Sequence, residues 1–345
     1  MRHVADETVM WTRIAALIAA AWLVAGLAAA APDNADRGAG MSPGVSADRG
    51  VGAPGVSNDE CLTCHEDQKA IAASTHGPMS CVDCHSALAT TTEFPHATPL
   101  DKVKCASCHD DIGSKYHDSI HAWAKEKAGL VVAPACADCH GKHDVKAHTD
   151  AASRVYRTRI PDTCGSCHAG IKEKFDRGIH AAMLKNGDSR APSCADCHTA
   201  HTIQRADTDK WRLAVTAECG SCHAKVVDSF RNTFHGKVTE MGFARVAACA
   251  DCHGAHDILP ASSPASMVSK ARLVETCSRC HPGANERFVA YDPHPNPRDY
   301  GRGKVLWYAN VFYWTLIPGC FGFFGLHSGL WLYRSRKEIR RESGR

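Results

Sequence analysis

Two apolar runs bracket a chain whose middle is polar. The first, Ile14 to Ala31, follows a short polar segment ending at Arg13 and closes on Ala29-Ala30-Ala31 before Pro32. That order of polar start, apolar stretch and small-residue cleavage context predicts an export signal over residues 1–31. Left uncleaved, the same run would act as a signal anchor, and either form carries the rest of the chain out of the cytoplasm. The second run, Val305 to Tyr333, contains no Asp, Glu, Lys or Arg. Trp307, Tyr308, Trp331 and Tyr333 stand near its ends, as interfacial aromatics do. As a straight helix it would measure about 43 Å at about 1.5 Å per residue, against a hydrocarbon core of about 30 Å. Tilt, a start in the headgroup layer or a bend at Pro318-Gly319 would take up the excess. The reading is one transmembrane helix over 303–334, with a basic tail over 335–345 that the positive-inside rule places in the cytoplasm.

Between these runs lie two different kinds of chain. Residues 32–58 are Gly, Pro, Ser, Asp and Ala with a crude Ala-Asp-Arg-Gly repeat at 35 and 47, a composition expected to form a flexible tether. Residues 59–296 form the main domain, yet bulky aliphatic residues are thin there and only 7% of the whole chain is aromatic. Such a segment would struggle to close an ordinary hydrophobic core. Something other than Leu, Ile and Phe has to fill it.

The chain holds 19 Cys and 22 His, and the spacing of these residues identifies the filler. C-x-x-C-H occurs nine times, and the copies use 18 of the 19 Cys. The cysteine pairs are Cys61 and Cys64, Cys81 and Cys84, Cys105 and Cys108, Cys136 and Cys139, and Cys164 and Cys167. They continue with Cys194 and Cys197, Cys219 and Cys222, Cys249 and Cys252, and Cys277 and Cys280. This is the haem c attachment signature. Thiols at i and i+3 reach the two vinyl groups on one porphyrin edge, and the following His is directed at the iron. Those proximal residues are His65, His85, His109, His140, His168, His198, His223, His253 and His281. Zinc binding would not demand a His after every second Cys, and a disulfide framework would not demand one at all. The motifs alternate in flavour, Cys-x-Ser-Cys-His then Cys-Ala-Asp-Cys-His, so a two-haem unit repeats from Cys105, from Cys164 and from Cys219. A compressed unit precedes this array and a half unit closes it.

Candidates for the sixth iron position follow from the same repeat. Each Cys-x-Ser-Cys-His copy has a His twelve residues past its own, His121, His180 and His235, and each Cys-Ala-Asp-Cys-His copy has one three residues on, His143, His201 and His256. The compressed unit offers His76 and His96, and the half unit His294. That gives nine distal candidates for nine irons, with His117 and His148 left as spares and Met79, Met183 and Met241 as alternative axial ligands. Three extended residues span only about 10 Å, too little for His140 and His143 to face each other across one iron. His143, His201 and His256 are therefore expected to serve neighbouring haems, which would pin those haems close together.

On these motifs, over residues 61–294, the chain resembles the multihaem cytochromes c of the doubled C-x-x-C-H type, including membrane-anchored ones that link the quinone pool to periplasmic or extracellular acceptors. The resemblance implies a mainly α and irregular, haem-packed array with short helices, little sheet and bis-His low-spin irons. It departs from quinol-oxidising members in carrying its anchor at the C-terminus. The formal charge of +3 owes +4 to residues 334–345, and haem propionates would make the array acidic, so nothing points to nucleic acid. Nine covalently bound haem c groups, relaying electrons between a membrane partner and periplasmic redox proteins, are the expected function. The rival reading is a reductase of a small nitrogen or sulfur oxyanion with one open iron, for which His96 and His294 would be the first absences to seek. An extracellular wire or an outer-membrane pore component fits poorly with a C-terminal span.

The span itself suggests a partner. Gly319, Gly322, Gly325 and Gly329 replace the Leu of a plain anchor, and Gly325 and Gly329 form G-x-x-x-G, a surface for close helix contact. His327 is an ionisable residue inside the span, which is a functional hypothesis by default. An integral subunit, a b-type cytochrome or other quinone-reactive protein, is expected against this helix, with Cys320 as a small packing residue.

Overall fold

The computed structural model describes residues 57–301 and 303–344. The signal region 1–31 and all but the end of the 32–58 tether lie outside the described residues. Among the described residues there is no strand; the chain is short helices joined by irregular segments, followed by one long helix.

The α-helices are α1 (Asn58–Cys64), α2 (Cys81–Cys84), α3 (Asp110–His117), α4 (Ile120–Glu126), α5 (Cys136–His140), α6 (Ile160–Gly165), α7 (Ala169–Asp176) and α8 (Ile179–Lys185). They continue with α9 (Cys194–His198), α10 (Asp209–Arg231), α11 (Phe234–Glu240), α12 (Cys249–His253), α13 (Leu273–Ser278) and α14 (Lys304–Ser343). Most are one or two turns long because a motif interrupts the chain every few dozen residues. The chain turns out of the helix at the motif histidine: His65, His85, His109 and His168 all sit near φ −113 to −96° and ψ 49 to 55°. His223 adopts the same turn inside α10, which is two helices joined across it.

The Asp of the Cys-x-Asp-Cys-His copies has a structural task that sequence reasoning did not assign. Asp83, Asp138, Asp196 and Asp251 each accept the backbone N–H of the residue just before their motif, at 2.7–2.8 Å. A carboxylate in the first turn, accepting that N–H, caps the helix and favours its dipole. Arg157 and Arg212 reinforce two of these caps. Arg157 donates to Asp196 and to the Ala191 carbonyl, and Arg212, its counterpart in the next unit, donates to Asp251 and to the Ala244 carbonyl.

What these helices bury is small. The buried apolar residues are Ala122, Ala133, Ala181, Leu184, Ala191, Val227, Ala244 and Ala248, and among the described residues no large side chain is fully enclosed. Trp123 and Phe234 stay 52% and 78% exposed in the middle of the array. Packing of alanine and serine cannot offset the conformational entropy of a domain this long, so the polypeptide alone lacks a core.

Helix α14 is long and apolar enough to cross a membrane, and none of its most apolar window is buried against the rest of the chain. The helix itself runs on past the apolar span into the charged residues. Arg334 to Ser343 continue the same helix because Arg, Lys and Glu are good helix formers. Pro318 lies inside it without ending it. At its start Tyr300 packs edge-on against Trp307 and Tyr308, with the Lys304 ammonium 5.4 Å from the Tyr300 ring.

Candidate functional site: nine facing imidazole pairs in one file

Each motif histidine faces one other histidine across a gap. Numbered by motif, site 1 is His65 with His96, site 2 His85 with His143, and site 3 His109 with His76. Site 4 is His140 with His201, site 5 His168 with His121, and site 6 His198 with His256. Site 7 is His223 with His180, site 8 His253 with His294, and site 9 His281 with His235. Ring centres stand 5.9–6.3 Å apart in all nine.

That spacing is too wide for ring stacking and too regular for accident. A first-row metal binds an imidazole nitrogen at about 2.0–2.1 Å, so two rings on opposite sides of one ion have centres about 6 Å apart. The gap therefore fits one first-row metal ion between each pair, and the two cysteines of the motif precede its histidine in sequence. Burial lowers the pKa of His140, His180, His198 and His253, and the facing or neighbouring imidazole lowers it further. They are held neutral, the form with a free lone pair for a metal. None of the 19 cysteines is paired in a disulfide. Among the described residues no three His, Cys, Asp or Glu converge as a conventional metal cluster, so the tetrahedral donor set of zinc is not assembled.

His143, His201 and His256 lie opposite the histidine of a different motif. The same holds for His121, His180 and His235, which sit on α4, α8 and α11 and reach forward to the first motif of the next unit, Cys-Gly-Ser-Cys-His at 164 and 219 and Cys-Ser-Arg-Cys-His at 277. Ser119 and Thr233 cap α4 and α11 by accepting the N–H of Ala122 and Gly236. At the third such position stands Gly178, where a Cβ would lie 2.9 Å from the His256 carbonyl oxygen.

Neighbour contacts put the sites in chain order. Inside a unit the first thiols come near each other: Cys61 with Cys81, Cys105 with Cys136, Cys164 with Cys194, and Cys219 with Cys249. The neighbouring Cys219 thiol lowers the pKa of Cys249. Between units the second thiols approach: Cys84 near Cys108, Cys139 near Cys167, Cys197 near Cys222 and Cys252 near Cys280. Backbone bonds from Thr75 to Val145, Ile120 to Ile203 and Ile179 to Ile258 tie the partner histidines of sites 2 and 3, 4 and 5, and 6 and 7 together. Each of these contacts joins consecutive sites, so the nine lie in a file running 1 to 9.

The spare histidines have other surroundings. His117 pairs with Glu126 at 3.0 Å, and the matching positions of the next two units hold Asp176 with Lys185 and Arg231 with Glu240. The same spacing of nine residues thus joins a basic to an acidic side chain in all three units, with their order exchanged in the second. His148 is exposed. On α14, His327 lies nearly parallel to Phe323, with ring centres 6.5 Å apart, and Gly319 and Cys320 line a shallow apolar groove with Phe312, Leu316 and Phe324.

Comparison with protein-family models, curated proteins and solved structures finds no match to this chain.

Proposed function

We propose that the chain is an electron-relay cytochrome holding nine covalent haem c groups, one at each facing imidazole pair. The observation that carries this reading is the coincidence of two independent sets: nine motif histidines and nine other histidines face one another one-to-one at the spacing of a shared ion. Each motif would hold its porphyrin through its two cysteines, and the facing imidazoles would ligate its iron. When bound, such a group supplies reversible one-electron exchange. The remaining work belongs to the polypeptide. It spaces the sites in a file, lowers the pKa of buried imidazoles such as His140, His180, His198 and His253, and leaves no motif histidine without an opposite ring, which argues for relay over substrate reduction. The groups would also fill the core that alanine and serine do not.

In this reading α14 anchors the file in the inner membrane with the haem domain on the periplasmic side. The glycine-rich face of the helix packs on an integral, quinone-reactive subunit such as a b-type cytochrome. Soluble periplasmic redox proteins would take electrons from the other end. The test is a membrane preparation containing the intact protein. Quinol should reduce its haems and an added periplasmic acceptor should reoxidise them, without turnover of nitrite, hydroxylamine or sulfite. Haems that stay oxidised in the presence of quinol would refute a quinone-linked relay.

A further inference from the structure

The nine sites are not held equally. Eight partner histidines sit in elements tied to the rest of the fold. His121, His180 and His235 ride on helices, and His76, His143, His201 and His256 flank the three inter-unit backbone bonds. His294 is fixed by its backbone N–H to Asp292 and by Ser229 at 3.2 Å from its ring nitrogen. His96 differs. Its ring contacts the carbonyl of Ala97, the very next residue, at 3.0 Å. Among the described residues, no hydrogen bond joins segment 92–103 to any other part of the chain.

The repeat explains this exception. Every other odd-numbered site takes its partner from the preceding unit, and site 1 has no preceding unit. Its partner comes instead from a strap between the second and third motifs, eleven residues past His85, where the regular units carry their histidine only three residues past the motif. The strap closes the end of the file farthest along it from α14.

We infer that site 1 is the one iron of the file whose distal ligand, His96, exchanges for a small neutral π-acceptor of the carbon monoxide or nitric oxide kind. The inference rests on the haem reading above. His96 leaves the sixth position as the strap swings away, the diatomic donates its lone pair to the ferrous iron, and no electron is consumed. At the other eight sites the same exchange would require breaking backbone or helix contacts.

The experiment is carbon monoxide titration of the dithionite-reduced holoprotein, with haem counted in parallel. Uptake of one carbon monoxide per chain is expected, with loss of that uptake in the Cys61→Ala/Cys64→Ala variant, which would retain eight haems. In the His96→Ala variant one site should bind more tightly: an imidazole bound nine-tenths of the time lowers apparent affinity about tenfold. No uptake by the parent protein, uptake that survives loss of site 1, or unchanged affinity in His96→Ala overturns the inference. A chain without haem would instead refute the underlying reading.

Discussion

His140 and His201 face each other with ring centres 6.0 Å apart and planes only 6° from parallel, although two further motifs lie between them in sequence and His143 stands just three residues from His140. The partner is taken from the next unit because three residues of chain cannot carry the near histidine across a gap of that width. The same choice, made along the array, ties units together through the facing imidazoles.

The angle between facing rings should be visible spectroscopically. At His76 and His109 the planes cross at 64°, and at His140 and His201 they are nearly parallel. Crossed imidazoles leave the iron π-orbitals nearly degenerate, which makes a low-spin ferric signal strongly anisotropic. One such signal is expected in the EPR spectrum of the oxidised protein. It should vanish in His76→Ala, replaced by a high-spin signal, and persist in His201→Ala.

His117 and His121 separate a structural histidine from a ligating one. Replacing His121 with Ala should convert site 5 to high spin. Replacing His117 with Ala should leave nine low-spin haems and lower stability by at most about 1 kcal/mol, the usual worth of an exposed ion pair. A high-spin haem in His117→Ala would contradict the pairing described for site 5.

Gly178→Ala places a methyl group against the His256 carbonyl between sites 6 and 7. It should cost about 1–3 kcal/mol, as overpacking does, and lower the melting temperature of the holoprotein. Gly170→Ala, in α7 with open space around it, should instead stabilise by about 0.5–1 kcal/mol through helix propensity. Equal melting temperatures for the two variants would mean that the contact at Gly178 is not rigid.

The capping aspartates should rank by their arginines. Asp138→Ala removes a helix cap, worth about 1 kcal/mol, whereas Asp196→Ala and Asp251→Ala also release Arg157 and Arg212. The latter two should melt lower by the equivalent of about 0.5–1 kcal/mol more. Thermal denaturation of the three single variants reads this directly.

A file without a bypass can be cut. The Cys164→Ala/Cys167→Ala variant should retain eight haems, but quinol-driven reduction in membranes should rapidly reach only the four sites on the α14 side. The four on the other side should follow much more slowly. Uniform fast reduction would mean that electrons skip a site.

Much of this was legible in the sequence and some was not. The histidines that the module position singled out are the ones that face a motif histidine, because a repeated unit must place equivalent residues equivalently. The apolar run at 305–333 marked the long helix, since composition alone determines that length of uninterrupted hydrophobicity. Which histidine faces which was hidden, apart from the exclusion of near neighbours, because a partner ring beyond two intervening motifs leaves no local signal. The file order was hidden for the same reason: it depends on thiols and backbone bonds that meet only after folding. The role of Asp in Cys-x-Asp-Cys-His could have been read from its place in the first helical turn. The pairing of His117 with Glu126, Asp176 with Lys185 and Arg231 with Glu240 was also readable, by aligning the three units against one another.

The most direct test of the account is a pyridine haemochrome count on the purified oxidised protein together with its EPR spectrum. Nine haems per chain, all low-spin, are the predicted result, since every motif histidine has an opposite imidazole. Fewer than nine haems, or a resting high-spin signal worth a whole haem, would contradict the claim that the nine facing pairs are nine closed iron sites.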